Sequence, residues 1–243
     1  GAAPGRRVLE VGAGLGSLTV ALAEAGAEVL ALEFDRALVP ALREVLAPFP
    51  GVRLEVTDAM RADWGALLGA GEWAMASNLP YNVAVPLLLD LLERVPAITS
   101  YVVMVQREVA DRLVAAPGAE AYGAVSAKVA HLADAAMLRA VPPEVFWPEP
   151  KVGSALVRLV PHAPRVATPR AALFRVIDEG FAQRRKTMGN ALRRLGLDAA
   201  AAAATLERCG VAPTARAETL GLDAFAAIAD ALLAAGVALP VDA

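Results

Sequence analysis

A strand that runs into a turn of spaced glycines and then into a helix admits few folds, and this chain carries one near its start. Arg7-Val8-Leu9-Glu10-Val11 leads into Gly12-Ala13-Gly14-Leu15-Gly16. A helix capped by Ser17 is expected to run to about Ala25, where Gly26 ends it. A plain strand-to-helix turn needs one glycine or two; three let the backbone come close to a ligand. The spacing departs from the dinucleotide fingerprint, because the third residue after Gly14 is Ser17. Glu28 to Phe34 follows and is nearly all apolar, the mark of a strand buried on both faces of a parallel sheet.

The alternation continues. Leu38 to Leu46 reads as a helix closed by Pro48 and Pro50, and Val52 to Val56 as a strand ending at Thr57-Asp58-Ala59-Met60. Trp73 to Ser77 is a further strand, Val83 to Glu93 a helix with Pro86 in its first turn, Tyr101 to Gln106 a strand and Glu108 to Ala115 a helix. Strands and helices at this spacing predict a doubly wound α/β domain. Met137 to Val141 and Ser154 to Val160 fit an antiparallel addition at one edge. Beyond Pro161, Pro164 and Pro169 only helical patterns remain: Ala171 to Phe181, Met188 to Leu195, Ala199 to Cys209 and Ala224 to Ala235. The expected division is a first domain of residues 1–162 and a small helical domain of residues 163–243.

Composition enters mainly by exclusion. One cysteine, Cys209, excludes an internal disulfide framework, and the two histidines, His131 and His162, lack ligand spacing, so no metal site is expected. No apolar stretch is long enough to span a membrane, and Arg6 and Arg7 lead straight into a strand rather than a signal peptide. A cytoplasmic setting, no membrane partner and a monomer are the expectations. Acidic residues outnumber basic ones up to residue 160 and the balance reverses beyond it, which puts the basic excess in the smaller part.

The strand ends carry the chemistry, since open α/β sheets bind ligands beyond the carboxyl ends of their strands. Glu33 ends the second strand, 19 residues after Gly14, where an acid can accept both hydroxyls of a ribose. The plain alternative is a solvated carboxylate. Asp58 ends the third strand and can accept from an adenine amine, with Ala59 leaving space for the ring. Asn78-Leu79-Pro80-Tyr81 ends the fourth. Pro80 restricts Leu79 to extended backbone, so this loop is stiff; it offers one amide side chain, backbone carbonyls and an aromatic face. That set suits a planar base with an exocyclic amine. Read blandly, the same residues are a turn with Asn78 as a helix cap.

These residues come in order with Phe146-Trp147-Pro148-Glu149-Pro150-Lys151-Val152 and Phe181-Ala182-Gln183-Arg184-Arg185-Lys186-Thr187. Together they resemble the KsgA family of ribosomal RNA adenine dimethyltransferases, from Arg7 to about Leu233. The resemblance implies a class I S-adenosylmethionine-dependent, Rossmann-like methyltransferase domain with an all-helical C-terminal domain. It implies that two methyl groups go to each of two adjacent adenosines in a hairpin loop near the 3′ end of small-subunit (16S) ribosomal RNA. It also implies an assembly checkpoint, with the pre-small subunit as partner. Gly12, Gly14, Gly16, Glu33, Asp58, Ala59 and Asn78 would then bind S-adenosylmethionine. Asn78, Leu79, Pro80, Tyr81 and Phe146 would hold the target base, Tyr81 and Phe146 stacking on its two faces. For Phe146 the residues alone favour a core aromatic. Lys151, Arg184, Arg185, Lys186, Arg193 and Arg194 would meet RNA phosphate; the bland account is a solvated helical face.

Two departures from the family are visible. The family carries a segment ahead of the first strand, with a Gln-Asn-Phe-like motif, that folds over the cofactor. This sequence starts six residues before that strand, and weaker cofactor binding and activity are expected of a chain without the segment. Gly153 stands where relatives carry an acidic or amide residue, with a looser local loop as the expectation. Competing readings are a large-subunit resistance methyltransferase, against which the Gln-Arg-Arg-Lys-Thr segment counts, and a non-catalytic RNA-binding assembly factor. A nicotinamide-dependent dehydrogenase rests on fold alone.

Overall fold

In the computed structural model, which describes residues 3–183 and 185–241, the chain forms two compact units. The first comprises residues up to Ala110 together with Ala133–Pro161. The second comprises Asp111–Leu132 together with the residues from His162 onward.

The first unit is built on one sheet. Its strands are β1 (Arg7–Val11), β2 (Glu28–Glu33), β3 (Val52–Val56), β4 (Trp73–Asn78), β5 (Ile98–Gln106), β6 (Ala133–Val141) and β7 (Ser154–Pro161), in the order β3-β2-β1-β4-β5-β7-β6. The first five run parallel; β7 lies antiparallel to β5, and β6 antiparallel to β7. The edge addition read from the sequence is thus present. The chain order reverses at β1, which lies between β2 and β4, and this switch point opens a crevice at the strands' carboxyl ends. The apolar runs explain the parallel strands: Leu9, Leu30, Ala31 and Leu32 are all but inaccessible. One face of β1 and β2 packs on Leu42 and Leu46 of α2 (Val39–Leu46) and on Leu22 of α1 (Ser17–Glu24).

Helix α1 differs from its expected start. Ser17 is its first helical residue, not its cap; the cap position is Gly16, at φ 88°, with no side-chain hydrogen bond. The turn closes through the Gly16 amide on the Ala13 carbonyl, at 2.9 Å, in a left-handed conformation that serine would adopt only at a cost. Asn78 does not cap a helix either. It closes β4, and α4 (Ala84–Arg94) starts after Val83. Two helices lack a sequence signal. α3 (Trp64–Leu68) is too short to show a period, and α6 (Ala124–Leu132) passes straight into β6 with no glycine or proline between them.

The second unit is helical. It contains α6 with α7 (Arg170–Phe181), α8 (Met188–Arg194), α9 (Ala199–Arg208) and α10 (Leu222–Ala234). Leu173, Val176, Ile177, Met188, Leu206 and Phe225 form its core, and the buried Tyr122 hydroxyl donates to the Leu220 carbonyl at 2.9 Å. α5 (Arg107–Val114) ends in this unit.

Candidate active site

The glycine turn is held against β2 by the Gly12 and Ala13 amides, which donate to the Leu32 carbonyl at 2.8 and 3.1 Å. On its other side β1 is tied to β4 through the Val11 amide and the Ser77 hydroxyl, 2.9 Å apart and buried. These bonds bring two sequence motifs together. A methyl group added at Gly12 would lie 3.2 Å from Pro80 Cδ and 3.7 Å from the Asn78 carbonyl oxygen. The glycine turn and the Asn78–Tyr81 loop are therefore in contact, and at φ 80° a side chain at Gly12 would be strained and would press on Pro80. At Gly14 the same construction meets nothing within 4 Å, so this part of the turn faces open space.

Glu33 is nearly buried and heavily engaged. Its Oε2 accepts from the Gly14 amide at 2.7 Å, and its Oε1 from the Phe34 and Asp35 amides, both at 2.8 Å. A carboxylate offers about four lone-pair sites, so three are used. The solvated-carboxylate reading does not hold, and one further donor, not two, can be taken without releasing a backbone amide. Asp58 Oδ1 accepts from the Met60 amide at 2.9 Å, and its Oδ2 lies 3.9 Å from Arg61 Nε. Ala59 begins the short turn that follows. The Thr57 amide donates to the Glu33 carbonyl at 3.1 Å, which keeps the ends of β2 and β3 side by side.

Asn78 and Pro80 are exposed, whereas Leu79 is buried and anchors the loop through its amide on the Met104 carbonyl at 3.1 Å. The Pro80 carbonyl accepts from the Val83 amide at 3.2 Å. Tyr81 is half-buried, and its hydroxyl is hydrogen-bonded to Ser154 Oγ at 2.9 Å. This bond fixes the ring to the first residue of β7. Phe146 is also half-buried, on the loop between β6 and β7, with its amide on the Pro143 carbonyl at 3.0 Å. Lys151 is exposed on the same loop. Gly153 needs no special backbone: an added methyl group would make an ordinary 3.6 Å contact with the Val141 carbonyl. Its own carbonyl accepts from the Arg107 amide at 2.9 Å, so the loop is anchored there.

Two residues, Phe34 and Met60, escaped the sequence reading, and a third, Glu10, was read only as part of the motif that leads into the glycine turn. Glu10 is 1% exposed, and its Oε2 has no hydrogen-bond partner among the described residues. Burial pushes its carboxyl from the ordinary 4.5 up to about 7; the Thr19 hydroxyl opposes this and the Glu33 carboxylate adds to it. Its signal was an acid between the apolar Leu9 and Val11 of β1. Phe34, 71% exposed, and Met60, 40% exposed, stand beyond the paired ends of β2 and β3. Phe34 reads as the last core residue of an apolar run, and only the end of the pairing at Glu33 reveals that it faces solvent.

The basic cluster belongs to the helical unit. Arg184 lies outside the described residues. Arg185, Lys186 and Arg193 are exposed. Arg194 is committed to Glu179 on α7: its Nε lies 2.9 Å from Glu179 Oε2, and it also bonds the Glu179 backbone carbonyl. Gln183, Asn190, Arg193 and Arg194 line a cavity of about 520 Å³ that Asp198, at the start of α9, also borders.

Comparison with known proteins gives a consistent pattern. The family model for ribosomal RNA adenine dimethylase matches residues 3–233. The ribosomal RNA small subunit methyltransferase A of Cutibacterium acnes is 48% identical over 241 residues, covering 95% of this chain and 80% of the relative. The protein of that name from Kineococcus radiotolerans is 47% identical over 225 residues, covering 91% and 75%. Among solved structures, a dimethyladenosine transferase from Plasmodium falciparum superposes with a TM-score of 0.80 at 21% identity, over 97% of this chain and 92% of the other. The 23S rRNA methyltransferase ErmE superposes with a TM-score of 0.68 at 24% identity, over 95% and 92%. Both share the fold.

Proposed function

The chain belongs to the ribosomal RNA adenine dimethylase family, and from that membership we propose that it dimethylates the N6 amines of two adjacent adenosines in small-subunit ribosomal RNA. The observation that carries the site is the packing of the glycine turn on Asn78 and Pro80, which sets a cofactor cradle beside a loop of hydrogen-bond acceptors.

The residues suit S-adenosylmethionine: the turn is open at Gly14, and the Glu10 carboxyl oxygen that has no partner among the described residues is buried in the strand before it. When bound, S-adenosylmethionine supplies a methyl group activated by its sulfonium. Gly12, Gly14 and Gly16 would hold it by close backbone approach. Glu33 would take one ribose hydroxyl on its remaining site and a second by releasing an amide. Asp58 Oδ2 and Ala59 would meet the adenine, with Phe34 and Met60 as apolar cover.

The target adenine amine is a poor nucleophile because its lone pair is delocalised into the ring. The Asn78 side-chain oxygen and the Leu79 carbonyl accept its two hydrogens. The Pro80 carbonyl is already turned to Val83, which favours Leu79 for that role. Both acceptors draw the nitrogen towards a tetrahedral geometry and localise the lone pair for attack. Tyr81, its hydroxyl fixed by Ser154, and Phe146 stack on the faces of a base taken out of its helix, which costs least in a loop. No acid is needed to expel a thioether, and the methylated ammonium loses its proton to water. Arg185, Lys186, Arg193 and Lys151 are the exposed cations for RNA phosphate. A role in small-subunit assembly accompanies the reading.

The test offers small and large ribosomal subunits lacking these methylations to the full-length protein with methyl-labelled S-adenosylmethionine. Dimethyladenosine in the small subunit alone is expected, and Asn78→Ala should abolish it. Label in large-subunit RNA would transfer the assignment to the resistance group. Binding to small subunits without label would make the protein an assembly factor.

A further inference from the structure

Trp147 is 97% exposed, whereas the chain's other two tryptophans, Trp64 and Trp73, are 6% and 7% exposed. An indole left wholly in water is an unusual expense, since aromatic side chains of this size normally bury most of their surface. Its position is specific. It follows Phe146 directly, and Phe146 has extended backbone angles, φ −108° and ψ 150°. Successive side chains on extended backbone point to opposite sides, which fits a half-buried Phe146 beside a free Trp147. Pro148 and Pro150 restrict the backbone that follows, so the indole is presented at low entropic cost. The loop returns to the sheet at Ser154, the residue bonded to Tyr81. Val145 and Val152 are also exposed on this loop, which carries Lys151 together with the carboxylates of Glu144 and Glu149.

We infer that Trp147 is a stacking platform for the nucleotide next to the target adenosine, a subsite that keeps the strand in register while one base is out of its stack. The inference rests on the reading that this site methylates a base in RNA. Phe146 and Trp147 are neighbours in the chain and present their rings to opposite sides, so a base taken out of its stack at Phe146 and the neighbour it leaves behind can each meet one ring without a further protein element. Base–aromatic stacking tolerates any base, so the platform suits both members of an adjacent pair: whichever is inside, the other has a place. Continuity with the base site favours a nucleotide over an apolar protein partner.

The test uses the full-length protein and undermethylated small subunits, either native or carrying an abasic residue beside the target adenosine. Iodide should quench Trp147 in the free protein. Trp147→Ala should weaken subunit binding and raise KM by about five- to a hundredfold, the range of one base–aromatic stack, with S-adenosylmethionine affinity unchanged. Trp147→Phe should restore most of the loss. The abasic substrate should weaken the wild type comparably and the Trp147→Ala variant little further. An unaltered KM in Trp147→Ala, independent multiplication of the two losses, or an indole shielded from iodide before RNA is added would each overturn the platform while methyl transfer persists. Failure of the wild type to bind or methylate either subunit would remove the underlying reading, and the platform with it.

Discussion

Glu10 shows how one residue couples stability to the site. Its carboxyl is pushed from the ordinary 4.5 up to about 7 because burial penalises its charge. The folded state therefore holds a proton that the unfolded state has released, and this contribution to stability is present in full below about pH 4.5 and lost as pH rises through about 7. Glu10→Gln removes the dependence. In urea unfolding, the variant should gain on the wild type by on the order of 3 kcal/mol between pH 5 and pH 8; a constant difference would mean that the carboxyl is ionised throughout.

At the scale of elements, the decisive joint is the bond between Tyr81, just after β4, and Ser154, the first residue of β7. The strand pair β5–β7 carries Ser154 to the parallel part of the sheet, with Ser154 opposite Gln106. Ser154→Ala and Tyr81→Phe should each slow methyl transfer about fivefold, the net worth of one hydrogen bond. The double variant should be no slower than either, measured as kcat on small subunits; additive losses would show that the two hydroxyls act separately. The sequence displayed both residues but not the bond, because they are far apart in the chain and only the antiparallel edge brings them together. The glycine turn was more legible, since its spacing states its own geometry. Its cap at Gly16 was not, because Ser17 is the better cap by residue type and only the left-handed backbone assigns the place to glycine.

For the whole molecule, the proposed RNA contact rests on charge. Exposed Arg193 and the Glu179-bound Arg194 are adjacent in sequence but differ in consequence. Arg193→Ala should lower the salt dependence of subunit binding by about 0.7–0.9 in the log–log slope, the share of one phosphate contact. Arg194→Ala should leave that slope nearly unchanged and reduce thermal stability by about 1 kcal/mol, the scale of a surface ion pair. Equal slopes for Arg193→Ala and the wild type would remove Arg193 from the RNA contact.

What the sequence determined by itself is the local part: the strand–turn–helix alternation, the antiparallel edge pair, and the motifs at the strand ends, because residue period, glycine spacing and proline restriction act over a few neighbours. Only the tertiary structure decided that Gly12 packs on Pro80, that Glu33 has one free acceptor site left, that Arg194 is spent on Glu179 and that Phe34, Met60 and Trp147 face water. Burial and partner choice depend on which distant strands and helices meet, and neither residue type nor spacing along the chain encodes those distances.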